Sequence, residues 1–188
     1  GLAVYGNSND FIGRSAGTHY GQSCVLLAGE GGGMQRDYSF DSRRRLADLE
    51  APEVTGREAA RRTLQRLGAR RLKTAEMPVL LAPEVAKGLL GHLVGAISGS
   101  ALYRKASFLR DQAGQQLFPG WVNLEERPLL PRGAHSSAFD GEGVATRQRH
   151  IIEAGTLTGY VLSSYSARRL GLSTTANAGG VRNLLLEP

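Results

Sequence analysis

The 188-residue chain reads as an α+β protein: antiparallel or mixed sheets, a glycine-striped buried central helix and a basic amphipathic helix. Two observations predict this class. Short strand-like runs broken by glycine turns occupy both ends of the chain. Between them, "TGREAARRTLQRLGARR" and "PEVAKGLLGHLVGAISGSALYRK" carry apolar residues at helical spacing. A composition of 41% hydrophobic and 21% charged residues allows a real core, built from aliphatic side chains because aromatics are only 6%.

The elements follow in order. "GLAVYGNSNDFIGRSAG" gives an apolar run, a turn at "GNSND" and a second strand. "THYGQSCVLLAGEGGGMQRDYSFDS" adds a strand, the turn "GEGGG" and a polar–aromatic strand ending near Phe40, so an antiparallel meander is expected. "GEGGG" lacks the Lys-Ser/Thr of a phosphate loop and is read as a hairpin turn. The basic helix is expected to open on a Thr55–Glu58 capping box and close at Gly68. Ala59, Ala60, Thr63, Leu64 and Leu67 make its apolar face, with Arg61, Arg62, Arg66 and Arg70 outward. "EMPVLLAP" reads as a short buried strand stopping at Pro83, the first residue of a central helix that runs to about Tyr103. Strands follow at "WVNLEE" and "VATRQRHIIEAG", the latter paired with "TLTGYVLSSY". A short helix "SARRLG", the loop "STTANAGG" and the start of another strand end the sequence. An end in mid-strand is expected of a fragment.

Net charge of +6 suits an anionic partner, but the basic run Arg43–Lys73 is interleaved with Asp48, Glu50, Glu53 and Glu58, as on a solvated helix face. The single cysteine, Cys24, excludes an internal disulfide framework and a Cys-rich zinc site; within "QSCVLLA" it is read as a small core residue. No signal-peptide pattern is present, and the longest apolar stretch falls short of the ~20 residues a bilayer needs. A zinc helix needs two histidines four residues apart. Here His92 has Gly88 and Ala96 at those positions, and Glu84 is eight residues back, about 12 Å along the axis. Gly88, Gly91, Gly95 and Gly99 predict that another backbone comes very close to the helix. His92 is read as a core histidine bonded to a carbonyl, with a cleft-facing position as the alternative.

Other chemistries are weaker. "SSYSAR" supplies hydroxyls from Ser163 on, and His135 and His150 lie upstream, but no GxSxG elbow exists. Asp140 and Glu142 flank Gly141 in "FDGEGV", which a turn explains. The loop "STTANAGGVRN", with Asn177, Arg182 and Asn183, could hold an extended peptide by strand addition, or be an ordinary connection.

"APEVAKGLLGHLVGAISGSALYRKASFL", "FDGEGVATRQRHIIEAGTLTGYVLSSYSARRLGL" and "STTANAGGVRN" resemble the TldD/PmbA family, on its PmbA (TldE) branch. The resemblance runs along the whole chain and matches the middle of longer family members. It implies that residues 1–75 end an N-terminal-type region and that 76–188 begin an incomplete C-terminal-type domain. It also implies a cytoplasmic heteromeric metalloprotease acting on unfolded peptides, in peptide-antibiotic maturation and antitoxin degradation. In such a complex a TldD-type subunit holds zinc, and this chain holds no cofactor. Residues 87–100 correspond to the partner's zinc helix. The residues expected to face peptide or partner are His92, Ser163, Tyr165, Arg168, Asn177, Gly179, Gly180 and Arg182. Two competing readings are an autonomous peptidase and a basic module associated with nucleic acid or gyrase, the latter echoed in an older family name.

Overall fold

Turn residues close the first hairpin. β1 (Leu2–Gly6) and β2 (Ile12–Ala16) pair antiparallel, and the Asn7 carboxamide oxygen accepts the Asn9 and Phe11 N–H groups across the turn. The computed structural model describes residues 1–187 and divides into two compact units. One is Gly17–Val79 with Gly1; the other is Leu2–Ala16 with the chain from Leu80 onward.

In the first unit, β3 (Tyr20–Ala28) and β4 (Gln35–Arg43) pair along their full length, Tyr20 opposite Arg43 and Ala28 opposite Gln35. Gly29, at φ +90°, opens the turn between them. α1 (Pro52–Gln65) packs on this hairpin through small residues one turn apart: Thr55, Ala59 and Thr63 are buried. The expected capping box is absent, because Pro52 starts the helix three residues earlier. Thr55 therefore lies inside α1, where its hydroxyl accepts the Gln22 carboxamide at 2.9 Å. Leu64 and Leu67 remain exposed. Arg62 and Arg66 do not point away from the fold; both reach Asp37 of β4, at 3.6 and 3.4 Å. Cys24 is half-buried on the same β3 face as Gln22.

The expected meander is two separate hairpins. The reason lies in the second unit, where Tyr5 and Phe11 cluster with Phe139 at centroid distances of 5.3 to 6.2 Å. A Cβ on Gly13 would come within 2.5 Å of the Phe139 ring, so only glycine lets the first hairpin seat there. The second unit is centred on an antiparallel sheet ordered β7-β6-β5-β8, from β5 (Asn123–Glu126), β6 (Arg149–Glu153), β7 (Thr156–Leu157) and β8 (Leu184–Glu187). Ile97, Leu109, Leu124, Ile151, Ile152, Leu157 and Val161 form its core. The α+β class holds, with β6 shorter than its expected run.

The helical segments depart most from expectation. Residues 69–82 carry no strand: Leu72, Met77, Val79 and Leu80 are exposed, and the segment joins no sheet among the described residues. α2 (Pro83–Ala96) starts at Pro83 as expected but does not reach Tyr103. The chain breaks at Ser98, whose hydroxyl accepts the Ala101 N–H and caps α3 (Gly99–Tyr103), while Gly99 donates to the Val161 carbonyl. α2 is only partly buried: Leu90, Leu93 and Ala96 pack half-buried against the core, and none of its residues is fully covered. Nothing lies within 4 Å of a Cβ added at Gly88, Gly91 or Gly95, so no backbone approaches them. Of the four glycines in the stripe, Gly99 alone is closely approached: a Cβ there would collide with Ser166. Ser166 belongs to α4 (Ser164–Leu170), which Ser163 caps reciprocally with Ser166 and Gly171 ends at φ +69°.

Candidate functional site

Two places carry the residues of interest. On α2, His92 is exposed, correcting its reading as a core histidine. It borders a cleft of about 390 Å³ with Leu93, Ala96, Phe108, Leu109, Leu117 and Phe118. A second, apolar cleft of about 450 Å³ lies between α2 and the sheet, lined by Leu89, Leu90, Trp121, Val122 and Leu186 among others. The donor set here does not fit zinc. Helical neighbours of His92 at four residues are Gly88 and Ala96, and no group of three or more His, Cys, Asp or Glu residues able to hold a metal occurs among the described residues.

The second place is the loop between α4 and β8, held from below by two buried carboxylates. Glu126 Oε1 accepts the Asn177 carboxamide at 2.8 Å and the Arg182 N–H at 2.7 Å, and its Oε2 accepts Arg149 Nε at 3.1 Å. Arg149 also donates to the Asn177 carboxamide oxygen and the Tyr160 carbonyl, both at 3.0 Å. Every atom of this buried ion pair that can bond is therefore used. Asp140 accepts the N–H groups of Glu142, Val144 and Ala178, closing the "DGEG" turn and tying it to the loop. Glu142 in turn accepts the Ser164 N–H at the start of α4. Above this base, Gly179 and Gly180 turn the chain at φ +90° and +101°. Next door, burial opposes ionisation of Glu125, but hydrogen bonds from Gln148 and Arg127 prevail and hold its carboxyl below the ordinary value.

The expected facing residues divide. Asn177 is buried with its carboxamide engaged by Glu126, Arg149 and Thr175. Arg182 folds back on the Gly180 carbonyl at 2.7 Å, and the Ser163 hydroxyl caps α4. Tyr165, Arg168 and Gly179 are exposed, and Gly180 is half-exposed. The cleft that His92 borders has no residue of the loop in its lining. Sequence reasoning missed Glu126, Arg149 and the Trp121-lined cleft. "NLEE" reads as an alternating strand in which one glutamate faces solvent, yet both Glu125 and Glu126 are buried.

The fold and its domains define a segment of a metallopeptidase-family protein. The PmbA/TldA metallopeptidase central domain matches residues 2–67, and the C-terminal domain of the same family matches residues 74–188. The chain is 48% identical to Metalloprotease PmbA of Escherichia coli O157:H7 over 97% of its own length and 41% of that protein. A TldD homologue of Haemophilus influenzae is 28% identical over 79% of this chain and 30% of its own length. A crystal structure of a candidate modulator of DNA gyrase from Bacteroides thetaiotaomicron superposes with a TM-score of 0.92 at 29% identity, covering 99% of this chain and 42% of that one. The chain belongs to the PmbA/TldD family, on the PmbA branch. It spans about two fifths of the length of Metalloprotease PmbA and of the gyrase-modulator structure.

Proposed function

We propose that this chain is part of a metal-less PmbA-type subunit that pairs with a TldD-type zinc subunit and cradles unfolded peptides for hydrolysis there, in the cytoplasm. The observation carrying this reading is the donor poverty around His92: one exposed imidazole with glycine and alanine at the two positions where a second ligand is needed. Relatives on both the PmbA and TldD sides bear metalloprotease names, which supports a shared peptidase setting. The test is co-purification with a TldD-type protein, followed by peptide digestion with each subunit alone and with both. Hydrolysis that needs the TldD-type subunit and rises several-fold with this one supports the reading. Hydrolysis by this chain alone overturns it.

A nucleic-acid or gyrase-associated module is the competing reading, motivated by the +6 charge. Much of that charge is answered locally: Arg61 meets Glu58, Arg62 and Arg66 meet Asp37, and Arg43 meets Asp41. Duplex binding that falls steeply with salt would favour the competitor.

A further inference from the structure

The ends of α3 and α4 carry two cations each, and Arg169 over the Tyr103 ring brings the two ends together. Arg104 and Lys105 follow the last turn of α3, and Arg168 and Arg169 lie in the last turn of α4; all four are exposed. The helices pack through Gly99 and Ser166. Tyr103 and Tyr165 meet edge to face, with centroids 5.8 Å apart and planes at 85°, and Arg169 sits 6.0 Å over the Tyr103 ring. No acidic residue occurs between Glu84 and Asp111, nor between Glu153 and Glu187. Among the described residues no carboxylate pairs with any of the four cations, in contrast to Arg61, Arg62 and Arg66. A helix C-terminus favours a nearby cation. That preference acts on each helix separately and does not require the two ends to share a surface.

We propose that this α3–α4 face docks an acidic peptide segment, which names a substrate chemistry for the cradling role and rests on it. Arginine forks grip carboxylates in pairs of hydrogen bonds, and Lys105 adds a point charge. The exposed Tyr165 ring covers apolar atoms between the acids. Nucleic acid suits the face less well. A base needs an open ring face to stack on; one face of Tyr103 lies under the Arg169 guanidinium, and its edge-to-face contact with Tyr165 builds no continuous stacking platform.

The experiment is fluorescence anisotropy on this chain without a partner. A labelled peptide of alternating Asp/Glu and small residues is compared with its Asn/Gln counterpart and a single-stranded oligonucleotide of equal charge. The acidic peptide is expected to bind, weaken as salt rises, and lose about tenfold in affinity in the Arg168→Gln/Arg169→Gln double variant. Arg104→Gln/Lys105→Gln gives a second reading should the first variant fold poorly. No binding of the acidic peptide, or equal binding by a folded double variant, overturns the proposal. Tighter binding of the oligonucleotide also overturns it, in favour of nucleic acid. With no partner in the assay, failure of a TldD-type complex to form or hydrolyse counts against the cradling role and leaves the acid preference readable.

Discussion

Glu126 ties its own strand, β5, to two segments distant in sequence: β6 through Arg149, and the loop through Asn177 and Arg182. Its removal in Glu126→Ala leaves a largely buried guanidinium and a buried carboxamide without their partner. The expected cost is about 3–5 kcal/mol, seen as a lower urea midpoint. Asn177→Ala should cost less, about 1–3 kcal/mol, because Arg149 keeps its carboxylate. Acid sensitivity follows from two carboxyls. The Tyr38 N–H, followed by Arg66 and Arg62, holds Asp37 below its ordinary value, and Glu125 is lowered by Gln148 and Arg127 against the effect of burial. A depressed carboxyl stabilises the fold above its unfolded pKa, about 4, and loses that contribution as pH falls through the lower folded value. Tm should therefore drop as pH falls below about 4, and the drop should be shallower in Asp37→Asn.

Among the elements, α2 and α3 separate two roles that glycine plays. Gly88 and Gly91 face open space, so alanine there should stabilise α2 by about 0.5–1 kcal/mol each in this chain. Gly99→Ala should do the reverse, costing about 1–3 kcal/mol, since its Cβ collides with Ser166 and Leu162. Thermal melts of the three variants check both signs. Local chemistry was legible where it acts through neighbours in sequence: Pro83 starts α2, Gly171 ends α4, and both hairpins fall between their turn residues. It was illegible where a distant partner decides. Ser98 lies inside an apolar helical pattern, yet its bridge to Val161 breaks the helix. The stripe of glycines gave the same sequence signal at Gly91 as at Gly99, and only the packing of α4 distinguishes them.

At the level of the molecule, the α+β class was readable from strand runs and helical spacing and the family from long motifs, while the burial of Asn177 was not. Asn177 and Arg182 look like exposed polar groups in a small-residue loop, but buried Glu126 draws both inward. The apolar cleft beside α2 went unseen because its walls, Leu89, Trp121 and Leu186, come from three separate stretches. Among the described residues no helix is long and apolar enough to cross a membrane. The claim on which the account turns is that hydrolytic metal belongs to another polypeptide. Metal analysis of the purified chain and of its complex with a TldD-type subunit addresses it directly. The account predicts zinc in the complex, unchanged by His92→Ala, and none in proportion to this chain alone. Stoichiometric zinc on the isolated chain that disappears with His92→Ala would contradict it.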